Sequence, residues 1–279
     1  MNQQLRASFK KERLAFFRTK RFLILALIVI GWAILGPLLI RGLGVMMDSL
    51  SDVYGDFGVD VSGMTDMLAA NASTGVMSSI SDLTTTGLIA FLLLINSFAG
   101  GEQKKRSIII PRTSGLGSTS YLLPKYIIYP LTAPILTIAA VFISWGISAL
   151  IFDVNDVTAG AVLAAGIIIG VYLMFYICIH LTLGTATGRA GMSSAIVIIA
   201  SFIVPGVFSV LGSDHIYNPF MLGALAVSVV ADSAMLTIMR GEIIATILIV
   251  FALMLILYFV ALFAQNAKKI DNSGNEIRL

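Results

Sequence analysis

The residue types that carry most enzyme chemistry are nearly missing from this chain. It has two histidines, His180 and His215, and a single cysteine, Cys178, so no His/Cys group has the spacing of a metal site and no internal disulfide can form. No Gly-x-Ser-x-Gly nucleophile turn and no His-Glu-x-x-His metal helix occurs. The phosphate-cradling loop Gly-x-x-x-x-Gly-Lys-Ser/Thr is excluded too, because the dipeptide Gly-Lys is absent. The sequence is therefore expected to be non-catalytic, with no cofactor or metal of its own and no ATP-binding loop.

What remains is a set of uncharged polar groups inside apolar runs. Thr84, Thr85, Asn96, Ser97, Ser144 and Ser148 are candidates either to line a passage or to bond one helix to another. Ionisable groups in those runs reduce to Asp82 and His180, both expected near an interface. A charge at the middle of a membrane costs about 2.5–3.5 kcal/mol and persists only for a function, so their scarcity speaks against an ion-coupled carrier.

The elements that hold these groups follow from composition. Of 279 residues, 58% are hydrophobic and 12% are charged, half the charge of an ordinary soluble domain of about 25%. The mean hydropathy is +0.96, and the charge sits in clusters between long apolar runs. Lipid must be the main solvent of such a chain. A pI near 9.0 does not point to nucleic acid here, because the basic residues flank apolar spans. Six stretches meet the roughly 20 residues a bilayer requires: 22–40, 79–99, 126–152, 159–183, 193–211 and 243–264. The second starts with Ser81, Asp82 and three threonines, so it begins either in the headgroups or along a wet surface. The run Phe220–Ala231 is too short to cross and follows the turn signal Asn218-Pro219; over 218–239 a re-entrant segment or an interfacial helix is expected at the outer face. The first span is too long for a signal-peptide core and is expected to be retained. The fold class expected is thus an all-α membrane protein, one domain over residues 1–279.

Charge sets the orientation. Of the 18 lysines and arginines, all but Arg41 and Arg240 fall in segments on one side of these six spans. The positive-inside rule puts that side, and both termini, in the cytoplasm. Residues 1–21 carry Leu5, Phe9, Leu14, Phe16 and Phe17 among their charges; this is read as an amphipathic helix in the inner headgroup layer anchored by Phe9, Phe16 and Phe17, or else as charges that only set topology. The tail, 265–279, is also inside. In the outer loop 45–78, Asp48, Asp52, Asp56 and Asp60 recur every four residues, which is one stripe on a helix and scattered solvated charge on a loop; the spacing is not that of a calcium loop. The cytoplasmic segment 100–125 is too long for a turn and too short for a domain. It is broken by Pro111 and the glycines at 115 and 117, and is either a docking element for a groove on a soluble partner or a solvated basic loop.

Together these features resemble the permease subunit of a bacterial ABC exporter of the six-span drug, polysaccharide and bacteriocin class. In that family the segment after span two opens on an acid, passes a Pro-x-Ser/Thr turn and ends in Lys. Glu102, Pro111 with Thr113, and Lys125 match; the family's Gly-Thr after the acid is absent, and the distance from Pro111 to Lys125 is longer. The chain is most similar to permeases that export amphipathic peptide toxins of the phenol-soluble-modulin type. The resemblance implies a cytoplasmic coupling helix in 100–125 with Glu102, Lys104, Lys105, Arg106, Pro111, Arg112, Thr113 and Lys125 in ATPase docking, and a second contact at Arg189. It further implies two permeases, as identical copies or paralogues, with two ATPase subunits that bind ATP and Mg, membrane lipids around them, and amphipathic or lipidic cargo in the bacterial cytoplasmic membrane. The competing readings are a secondary carrier, against which the absence of an internal repeat also counts, and a non-transporting immunity or sensing protein.

Overall fold

In lipid a backbone must satisfy its own hydrogen bonds, so long apolar runs become long helices. The computed structural model describes residues 3–56, 71–102, 115–152, 156–211, 217–270 and 276–278. The helices run α1 (Gln3–Arg18), α2 (Arg21–Asp56), α3 (Ala72–Gly101), α4 (Ser118–Ile151), α5 (Ala159–Thr187), α6 (Ala190–Val210), α7 (Leu222–Ala231), α8 (Ala234–Ile238) and α9 (Arg240–Asn266). A short antiparallel pair follows, β1 (Lys268–Ile270) against β2 (Glu276–Arg278). Six helices, α2 to α6 and α9, are long and apolar enough to cross a bilayer. The chain is a multi-pass, almost wholly helical membrane protein.

Burial arranges the spans around α5. In its most apolar stretch 78% of residues are buried, against 17% in α6 and in α9, so α5 is the axis and those two are the rim. The outer faces of α2, α6 and α9 expose Leu27, Leu39, Phe202, Leu255 and Phe263 among others, a surface suited to acyl chains. Small residues let backbones approach the axis. A Cβ on Gly166 would stand 2.9 Å from Ile138 Cα, and one on Gly170 2.5 Å from Pro134 Cα, so these glycines, four residues apart, allow close α4–α5 packing. The end of α3 meets the end of α5 even more closely: a Cβ on Gly184 would overlap the Ala99 carbonyl, and one on Gly100 would stand 2.5 Å from the Gly184 oxygen.

α3 begins at Ala72, earlier than the apolar pattern suggests, because Asn71 caps it. The Asn71 side chain accepts the Thr74 N–H at 2.8 Å, and Thr74 Oγ1 accepts the Asn71 N–H at 3.0 Å. Asp156, before α5, accepts the Ser73 N–H at 3.1 Å. The helix is interrupted by π turns at Leu83–Gly87 and Ser97–Gly101, a feature frequent at functional sites. α2 continues to Asp56, so Asp48, Asp52 and Asp56 lie on a helix at four-residue intervals; Asp60 lies outside the described residues. Pro219–Met221 packs against α5, α6 and α9, and α7 packs between α3 and α5, with Leu225, Ala226 and Val229 buried. Phe220 stands against Phe175 at 5.4 Å and stacks on Phe208 at 6.3 Å. At 1.5 Å per residue, Phe175 lies about 24 Å along α5 from Ala159, so this segment reaches well into the bundle.

Candidate functional site

Three helix ends and α1 meet at one end of the bundle, and there the described residues gather their ion pairs. α4 sets Tyr121, Lys125 and Tyr129 one turn apart, hence on one face. Lys125 is 2% exposed, and its Nζ donates to Glu102 Oε2 at 2.6 Å, to the Phe98 carbonyl at 3.0 Å and to the Tyr121 hydroxyl at 2.9 Å. Tyr121 in turn donates to Glu102 Oε2 at 2.9 Å, and its ring lies 4.2 Å from the ammonium. From α1, Lys11 donates to Glu102 Oε1 at 2.7 Å and stands 3.4 Å from Glu12. Glu12 is buried and accepts the Tyr129 hydroxyl. Two carboxylates and two ammonium groups therefore share one site, with tyrosine hydroxyls filling the remaining bonds. Burial alone would push the Glu102 carboxyl up, but Lys125 and Lys11 outweigh it and hold it at about 2. The same exchange raises Lys11: burial works against its charge, and the Glu102 carboxylate more than offsets this.

An aromatic layer lies beneath the charges. Phe16 of α1 is fully buried, 5.4 Å from Tyr129 and 6.4 Å from Phe98, which itself stacks on Tyr129 at 4.5 Å. Arg21 closes the far side, donating to the Ser97 hydroxyl with its guanidinium 4.7 Å from the Phe98 ring. α1 also reaches the other flank of the segment between α3 and α4, where Gln4 Nε2 donates to the Gly115 carbonyl at 3.3 Å. Thus α1 bonds to Glu102 on one side of residues 103–114 and to Gly115 on the other.

Of the docking residues read from sequence, the structure joins Glu102 and Lys125 directly. Arg189 is exposed in the α5–α6 turn; that turn lies beside the end of α3, since Gly100 abuts both Gly184 and Ala190. Lys104, Lys105, Arg106, Pro111, Arg112 and Thr113 lie outside the described residues. Among the interfacial aromatics, Phe17 is 49% exposed and Phe9 half-buried, while Phe16 faces protein and not headgroups. The uncharged polar set is dispersed. Ser144 Oγ donates to Ser79 Oγ at 2.8 Å and Ser148 is buried over Gly75, both in the α3–α4 contact. Ser97 belongs to the charged end, the Asn96 side-chain oxygen is buried with no hydrogen-bond partner among the described residues, Thr84 abuts Gly223 of α7, and Thr85 is exposed. His180 is fully buried with Nδ1 2.7 Å from Ser193 Oγ, linking α5 to α6.

Lys11, Glu12, Tyr121 and Tyr129 were not apparent as site residues from sequence. The readable signals were Glu12 as the sole acid in a basic helix and the i, i+4, i+8 series Tyr121, Lys125, Tyr129. Compared with known protein families, curated proteins and solved structures, the chain matches none.

Proposed function

We propose that this chain is the membrane subunit of an ATP-driven exporter in a bacterial cytoplasmic membrane, carrying amphipathic or lipidic cargo such as peptides. A separate ATPase hydrolyses ATP and grips the inner surface at residues 100–125 and at the turn bearing Arg189. The observation that carries this reading is the attachment of both flanks of residues 103–114: Glu102 is ion-paired to α1 and α4, and Gly115 is bonded to α1. A force applied to that segment passes into α4 through the buried Lys125 pair and into α1 through the half-exposed Lys11 pair. The neighbouring α5–α6 turn offers a second point of contact at the same end. Both termini are cytoplasmic, α1 rests at the inner headgroups, and the segment from Pro219 to Ala231 re-enters from the outer side, consistent with the depth of Phe220. Two such subunits, identical or paralogous, form the path.

The test is purification of the tagged full chain from its native membranes. An ATPase should copurify in equal amount, and charge reversal at Lys104, Lys105 and Arg106 combined with Pro111→Ala should remove it or its stimulation while membrane insertion is kept. Transport driven by an ion gradient without ATP would replace this reading with a secondary carrier.

A further inference from the structure

α1 turns its buried face, Ser8, Glu12 and Phe16, toward the bundle, which leaves a second face of different character. Arg6, Lys10 and Arg13 lie three or four residues apart and therefore share that face. With Phe9 and Ile128 of α4 they enclose a groove of about 390 Å³, within the size range of small-ligand sites. Among the described residues no carboxylate pairs with any of the three cations, whereas Lys11, on the neighbouring face, is paired twice. The floor is apolar. From it α4 continues outward in one strip of exposed side chains, Ile127, Leu131 and Ile135, which are 37%, 47% and 62% exposed. Cations at the rim and an uninterrupted apolar strip leading into the spanning region are the two halves of one amphiphile's complement.

We infer that this groove between α1 and α4 binds an anionic phospholipid, its phosphate held by Arg6, Lys10 and Arg13 and an acyl chain laid along Ile127, Leu131 and Ile135. Guanidinium groups suit phosphate oxygens in paired hydrogen bonds, and Arg supplies two of the three cations. A soluble acidic partner would satisfy the rim but leave the strip to lipid; a neutral phospholipid would cover the strip but leave the rim without net countercharge. Both features are met together only by an anionic lipid of the same leaflet. The bound lipid would pin the outer face of α1, whose inner face carries the Lys11 and Glu12 contacts. The inference depends on the chain being a membrane protein and not on the exporter reading.

The experiment uses the purified full-length protein in neutral detergent, with dioleoylphosphatidylglycerol, dioleoylphosphatidylcholine or inorganic phosphate added separately. Lipid retention is read by native mass spectrometry and the thermal midpoint by light scattering. Phosphatidylglycerol should be retained and should raise the midpoint, with no such effect of phosphatidylcholine or phosphate. Arg6→Gln, Lys10→Gln and Arg13→Gln together should weaken phosphatidylglycerol binding on the order of a hundredfold, from the usual attraction of each basic residue near an anionic surface. Arg18→Gln, on the same helix outside the groove, should leave it unchanged. Ile128→Trp fills the groove with every charge intact and should also weaken retention. Undiminished binding to the triple variant overturns the inference, as does equal binding of phosphatidylcholine or stabilisation by phosphate alone. Loss in the triple variant with Ile128→Trp unaffected overturns it too, since only diffuse surface attraction would remain.

Discussion

Along α4, two neighbouring stretches are held to the rest of the bundle by different means. Near its start, Tyr121, Lys125 and Tyr129 reach two carboxylates on two other helices, with heavy-atom distances of 2.6 and 2.9 Å to Glu102. Further along, Thr137 donates to the Gly166 carbonyl at 2.9 Å and Ser144 to Ser79 Oγ at 2.8 Å, both without charge. The first arrangement is costly to break at Glu102, because removing that carboxylate strands the buried Lys125 ammonium. The second is cheap to break, since hydroxyl bonds within a membrane average about 0.6 kcal/mol. One helix thus combines a firmly registered end, next to Glu102, with a spanning region held by packing and weak bonds. Such a division is what the exporter proposed above would need, a bundle that changes shape inside the membrane while held at its surface.

The comparison breaks most sharply at Glu102. Glu102→Gln leaves Lys125 buried without a counter-ion and should destabilise the protein by about 3–5 kcal/mol, lowering the midpoint measured in detergent by roughly 10 °C. Adding Lys125→Met should recover part of that loss, because no buried charge then remains unpaired. Acid makes a milder version of the same break. The folded-state value of Glu102 lies near 2, below its ordinary 4.5, so its contribution is complete above about pH 4.5 and disappears as pH falls toward 2. Thermal midpoints should drop over that window in the natural protein, and Glu102→Gln should lack this component. At the close contact between α3 and α5, Gly184→Ala should cost about 1–3 kcal/mol by forcing two backbones apart, while Gly146→Ala, with open space around it, should be neutral in the same assay. The smallest effect belongs to the interior: Ser144→Ala should lower stability by about 0.6 kcal/mol. A loss there as large as at Glu102 would erase the distinction between the two regions.

The spans are legible because length and apolarity alone dictate a crossing helix. The start of α3 is not legible from apolarity: Ser73, Thr74 and Ser78 lower the apolar signal, and the cap that sets the boundary is made by Asn71. The spacing of Phe16 fits either lipid or protein, and only the docking of α1 onto Phe98 and Tyr129 decides for protein. Glu102 and Lys125 stood out as isolated charges beside apolar runs. Their link to Lys11, Glu12 and Tyr129 did not, because Glu12 and Tyr129 are 117 residues apart in the chain and no local pattern pairs them.

The claim at the centre of this account is that α1 transmits what happens at the segment beyond Glu102. Lys11→Met removes the ion pair from α1 to Glu102 and leaves Lys125 paired, so it weakens transmission at a smaller cost in stability than Glu102→Gln. ATP hydrolysis by the complex copurified on the tagged chain, with and without an amphipathic helical peptide, tests this most directly. The account predicts the same amount of ATPase on both proteins and stimulation by the peptide in the natural protein only. Equal stimulation in Lys11→Met, or no ATPase on the natural protein, would contradict it.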